Sequence, residues 1–216
     1  MIEHNQLLNE YASEAYSMYA RTISEKEWGN KDAALEYLKK YHLPEDEYLE
    51  KWKPVQNMIF KNQDKSLPEM MFNKGFSLLA IRGGVLFEKE DFENLQNCVR
   101  QLGDEKLLIV QNDFGGRLDS TPLRMSYPSD ITWKELMSGN FISTVIFEMF
   151  ANEYFVFSES RKWGKYSAND YEQPLDIIGF KPDCEPVFKK SFEQPPEEWE
   201  EIKEWLPPKY KEIIVL

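Results

Sequence analysis

The chain has 216 residues, 42% hydrophobic and 30% charged, with an aromatic share of 14%. That length and composition fit a folded globular chain with a sizeable core, and the aromatic content argues against disorder. The net charge of −12 comes from an excess of acids in every stretch of the chain, which leaves no basic stripe to meet phosphate and so excludes a nucleic-acid binder as the expected function.

Two cysteines, Cys98 and Cys184, with no paired spacing, offer neither a disulfide framework nor a thiolate zinc site. The first residues carry no basic segment followed by an apolar run, and the apolar runs, such as Leu107–Val110, are too short to span a bilayer. The reading is a cytoplasmic protein with no membrane partner.

Residues 5–23 are expected to be helical, with Leu8, Tyr11, Ala12, Ala15, Tyr19 and Ile23 at spacings of three and four. Asn30 can cap a second helix through Ala33, Ala34, Tyr37 and Leu38, and Pro44-Glu-Asp-Glu opens a third, with Pro54 expected to break or kink it. Asn62–Met70 is polar and contains Pro68, so it reads as a connection. Phe76–Ile81 reads as a buried strand. Gly83-Gly84 then reads as a tight hairpin turn into Val85–Phe87, in preference to a phosphate nest.

Phe92, Leu95, Val99 and Leu102 have helical spacing, stopped by Gly103, and Lys106–Gln111 reads as a strand. Asn112–Pro122 is a loop by its glycines and turn formers, and Leu123–Tyr127 a further strand. Asp130 or Thr132 caps a helix through Trp133, Leu136 and Met137, interrupted at Gly139. Tyr154–Ser158 and Lys165–Ala168 make a hairpin, and Pro174–Phe180 an extended segment. Asp183–Phe192 forms a short helix, and Pro195–Trp205 a longer one with acids in its first turn. Ile213–Leu216 can add a last strand. Helices up to about residue 60, followed by a mixed region over 61–216, give an α+β fold on a mostly antiparallel sheet, read as a single domain over 1–216.

No motif signals catalysis. Asp113-Phe114-Gly115 matches a kinase tripeptide, but its companion motifs are absent, and the dinucleotide and phosphate-loop glycine patterns are absent too. His4 and His42 show no metal-ligand spacing, so no cofactor and no metal are expected. Residues 147–171 hold eight aromatics in 25 positions, about twice the chain's share. Alternation puts Tyr154 and Val156 on one face of a strand and Phe155 and Phe157 on the other, which marks that strand as central and buried. The turn beside it mixes cations and aromatics. Trp163, Tyr166 and Tyr171 are candidate binding anchors there if exposed, with Asp170 and Glu159 as charge partners; a Trp163 packed over the sheet is the other reading.

The run Glu153–Phe180, with Trp163-Gly164-Lys165-Tyr166, Ala168-Asn169-Asp170-Tyr171 and Pro174-Leu-Asp-Ile-Ile-Gly-Phe180, resembles uncharacterised bacterial proteins encoded beside polymorphic toxins. Phe76–Phe92 is similar to them as well, and the two segments cover about a fifth of the chain. The resemblance implies an immunity protein: a soluble, acidic, α+β inhibitor that binds a toxin domain and has no catalytic residues of its own. The expected partner is accordingly a basic toxin domain. The alternatives are a metal-assisted hydrolase built on Asp113, Asp119 and the acids near Asp170, and a structural or regulatory adaptor.

Overall fold

A computed structural model describes residues 4–20, 31–83, 85–112, 122–148, 153–168 and 174–214. The fold is α+β, with N-terminal helices preceding an antiparallel sheet. Chain order runs α1 (His4–Ala20), α2 (Lys31–Tyr41), α3 (Glu45–Glu47), a π turn (Tyr48–Trp52), α4 (Lys53–Ile59), β1 (Ser77–Arg82), α5 (Lys89–Gln101), β2 (Lys106–Gln111) and β3 (Arg124–Pro128). It continues through α6 (Trp133–Leu136), α7 (Phe141–Ser143), β4 (Tyr154–Phe157), β5 (Trp163–Ser167), β6 (Leu175–Phe180), α8 (Glu185–Ser191), α9 (Pro196–Trp205) and α10 (Pro208–Lys211).

Among the described residues the sheet has six strands in the order β1-β6-β5-β4-β2-β3. Every pairing is antiparallel. Side chains alternate across it, and helices cover both faces. On one face Leu79, Ile81, Leu107, Ile109, Tyr154, Val156, Trp163, Ile178 and Phe180 meet α1, α2, α5 and α8. On the other, Leu78, Ala80, Leu108, Val110, Phe155, Phe157, Tyr166 and Ile177 meet the π turn, α4, α9 and α10. The double cover explains why β4 and β6 are buried at every position, since a strand between two apolar layers has no solvent face.

Gly164 and Gly179 stand opposite each other on β5 and β6. Phe60 packs over Gly164 and Phe72 over Gly179, each ring filling the space a Cβ would take. The two rings lie 5.0 Å apart, so the missing side chains let an aromatic pair sit directly on the backbone of the sheet.

Each edge strand of the sheet is met at single points by neighbouring segments. At β3, Leu43 N donates to Arg124 O at 2.9 Å; at β1, Gln194 Nε2 donates to Ala80 O at 3.0 Å. Such contacts occupy part of the ladder that would recruit another strand. Ile214 makes a single parallel bridge to Leu78, which is what remains of the expected last strand among the described residues.

Two expectations are corrected. Pro54 does not end its helix: Lys53 N donates to Tyr48 O, five residues back, and this widened turn carries the helix past a residue with no N–H. Val85–Phe87 is not a strand, and the chain does not form a hairpin after Gly83; β1 pairs with β6 instead, nearly 100 residues on. The polar segment Asn62–Met70 is a connection, as expected, and is pinned at its ends, with Lys61 N donating to Met71 O at 2.8 Å and Asn62 Nδ2 to Met70 O at 2.6 Å. Thr132 is the helix cap, its Oγ1 accepting from Glu135 N at 3.2 Å. No described helix is long and apolar enough to cross a membrane.

Candidate functional site

Two of the sequence-derived binding residues are in the core. Trp163 and Tyr166 have no exposed surface, so neither can reach a partner across the protein surface. Trp163 Nε1 donates to Asp104 Oδ2 at 2.8 Å, and Asp104 also accepts from Ser160 N and Oγ, each at 3.1 Å. The indole is a core residue whose polar end is met by a buried carboxylate. Tyr166 lies on the opposite face, its hydroxyl donating to Glu153 Oε2. Burial and the adjacent Glu153 push that phenol far above its ordinary range.

Glu159 is half-buried and serves the backbone. Its carboxylate accepts from Glu105 N at 2.6 Å and Lys106 N at 3.3 Å, which fixes the hairpin turn against the start of β2. Asp170 and Tyr171, like Asp113 and Asp119 of the hydrolase alternative, fall outside the described residues. Cys98 is buried in the core.

The polar arrangement that stands out lies at the other end of β5 and β6. Lys165 and Asp176 are each 2% exposed, with Nζ 2.5 Å from Oδ2. They reach one another because Ser167, two residues beyond Lys165 on the same face, stands directly opposite Asp176. Lys165 Nζ also donates to Leu86 O and lies 4.5 Å from the centre of the Phe87 ring. The segment that failed to form a hairpin after Gly83 therefore caps a buried lysine instead.

Burial pushes the Asp176 carboxyl above the usual carboxylate range, and Lys165 pulls it back. Its Oδ1 has no partner among the described residues. Gly83 lies directly over that oxygen: a Cβ there would sit 2.5 Å from Oδ1. Gly83 N donates to Pro174 O at 2.6 Å, which holds the backbone in this close approach. Here the glycine serves a packing need rather than a turn.

Gly83 is also part of the wall of a cleft of about 380 Å³, formed by the end of β1, the start of α5 and the connection between α8 and α9. The cleft is rimmed by Glu88, Glu90, Asp91, Glu193 and Glu198. Arg82 also borders it, but its guanidinium is drawn to Glu201 at 3.3 Å and stands 5.7 Å from the Trp205 ring. None of the five rim carboxylates forms an ion pair among the described residues. Asp91 is pushed up to about 6 by burial and by Asp176, Glu88 and Glu90, against the opposing pull of Lys165.

Gln194 forms one wall of this cleft, with its Oε1 buried and unpartnered among the described residues. On the far side of Gln194 the same connection borders an apolar groove of about 490 Å³, lined by Leu79, Phe192, Pro196 and Trp199. Among the described residues no group of three or more His, Cys, Asp or Glu is placed to hold a metal ion.

The sequence reading missed this cleft because its five acids come from two segments about 100 residues apart. The legible signal was a charge on the inward side of an apolar strand: Lys165 between Trp163 and Ser167, and Asp176 beside Ile178. Comparison of the chain with protein-family models, with curated proteins and with solved structures gives no match.

Proposed function

We propose that the chain is a non-catalytic binding protein of the immunity type, which engages a basic protein partner and blocks that partner's working surface. The observation that carries this reading is the cleft: five carboxylates around one opening, without ion-paired cations among the described residues. Grouped like charges raise the free energy of the unbound protein and are relieved by an incoming cation. The net charge of −12 adds long-range attraction, which speeds the encounter at low salt. The adjoining apolar groove supplies area of the kind that interface cores bury.

This reading moves the binding surface away from the aromatic hairpin, where Trp163 and Tyr166 are committed to the core. The test is capture from the cells that make the protein, using the tagged wild type and the Glu90→Lys/Glu193→Lys variant, washed at low and then high salt. Both substituted residues are exposed, so the fold tolerates the change. One stoichiometric basic protein, held by the wild type, released by salt and missed by the variant, is the expected result. Equal retention by both forms, or no retained protein, would refute it.

A further inference from the structure

We infer that α1 is an acid-released cover, held over the His42 ring at neutral pH and let go when that ring takes up a proton, a device separate from the acidic cleft.

The chain has two histidines, His4 and His42, and the fold brings their rings to 5.2 Å. His4 lies at the exposed start of α1, and Tyr11, further along the same helix, sets its ring 5.5 Å from that of His42. His42 is fixed from the other side. Its N–H donates to Leu38 O at 2.7 Å, it bridges Met125 of β3, and Leu43 N donates to Arg124 O at 2.9 Å. His42 therefore belongs to the sheet edge, and α1 is the part that can leave. The hold on α1 is modest. Its buried residues among those described are Leu8, Tyr11, Ala12 and Ala15, two of them alanines. No ion pair joins α1 to another element among the described residues. Segments with few buried apolar contacts open at low free-energy cost.

The covered ring refuses a proton. Both of its nitrogens are buried without a hydrogen-bond partner among the described residues. The charges that act on it are cationic, His4 from α1 and Arg124 from β3, and Lys53 of α4 adds a further cation on the Arg124 side. Glu45 is drawn to Arg124 at 3.7 Å, Glu14 of α1 acts on Tyr11, and the Tyr48 ring lies 4.4 Å from the Arg124 guanidinium. Burial, His4 and Arg124 hold His42 at about 4 against an ordinary 6.5. With α1 away, the ring meets water and returns toward the ordinary value, so opening takes up a proton. Closure is therefore fully favoured above about pH 6.5 and weakens as pH falls to about 4. Released, α1 uncovers the surfaces of α2 and α7 on which it packs, and acidity is read out as exposed apolar surface.

The test is amide hydrogen exchange of the full chain at about pH 7 and about pH 5, with protection corrected for the intrinsic exchange rate at each pH. A ring held at about 4 when covered and 6.5 when open raises the open fraction about twentyfold over that interval. The expected result is a loss of about twentyfold in protection over Leu8–Ala15, with protection in β4 changed by less than about threefold. In His42→Phe, which keeps an aromatic ring at the site, the α1 loss should fall below about threefold. His4→Gln, at an exposed position, removes one of the facing cations and should give a smaller loss than wild type. Unchanged α1 protection in the wild type, loss of α1 and β4 protection in step, or the full loss retained in His42→Phe would overturn the inference. Should His42→Phe not fold, His4→Gln decides, and a loss equal to that of wild type overturns it.

Discussion

Lys165 and Asp176 join their charged ends 2.5 Å apart on the covered face of the sheet, each side chain 2% exposed. A buried pair of this kind adds little net stability against apolar residues of equal size, but breaking it leaves one charge without compensation. Lys165→Met should therefore cost about 3–5 kcal/mol in urea unfolding. Lys165→Met/Asp176→Leu should cost clearly less than the sum of the two single changes. A single substitution costing under about 1 kcal/mol would show that the pair is not isolated from water.

The close approach of Gly83 to Asp176 gives a second test. Gly83→Ala places a methyl group 2.5 Å from Asp176 Oδ1, which should destabilise the fold by about 1–3 kcal/mol. In the background of Asp176→Ala the same change should cost much less, because the clashing oxygen is gone. Additive costs would contradict the contact.

Trp163 should behave as a core residue. Trp163→Phe removes the donor to Asp104 and should cost about 1–3 kcal/mol. Trp163→Ala should cost about 3–5 kcal/mol, visible as a large drop in the thermal midpoint. A midpoint unchanged in Trp163→Ala would return the indole to the surface.

His42 sets an acid limit. It is 7% exposed, with both ring nitrogens unpartnered among the described residues. Its ring lies 5.2 Å from that of His4 and 5.5 Å from that of Tyr11. Burial, His4 and Arg124 lower it from 6.5 to about 4. The unfolded chain therefore takes up a proton that the fold refuses as pH drops from about 6.5 to about 4, and stability falls across that window by up to about 3 kcal/mol. Asp91, raised in the fold to about 6, acts in the opposite direction below that pH, and Asp176, also raised, has the same sign. The measurement is the difference between wild type and His42→Phe: the variant should lose less stability from pH 7 to pH 4.5. Parallel pH profiles would contradict this.

The α+β class, most helices and most strands were legible because their signals are local. Phe92, Leu95 and Val99 mark α5 by spacing, and the four apolar residues Tyr154–Phe157 mark β4 as central. Partner choice was not local. Gly83 reads as a hairpin turn in isolation, and only the arrival of β6, with Asp176 beneath it, gives the glycine its packing role. The aromatic hairpin misled for a related reason. Trp163 and Tyr166 look like interface anchors beside Arg161 and Lys162, but strand alternation sends one to each buried face of a sheet covered on both sides. The acidic cleft was illegible because α5 and the α8–α9 connection supply its carboxylates from distant parts of the chain.

The central claim is that the cleft is an electronegative, half-buried opening that takes a cation. The direct test follows the Asp91 carboxyl carbon by NMR across pH, alone and with a saturating short basic peptide. Alone, Asp91 should titrate at about 6. With the cation bound, its midpoint should fall toward the ordinary carboxylate range, since a neighbouring positive charge favours the ionised form. An unchanged midpoint with and without the basic peptide would contradict the account.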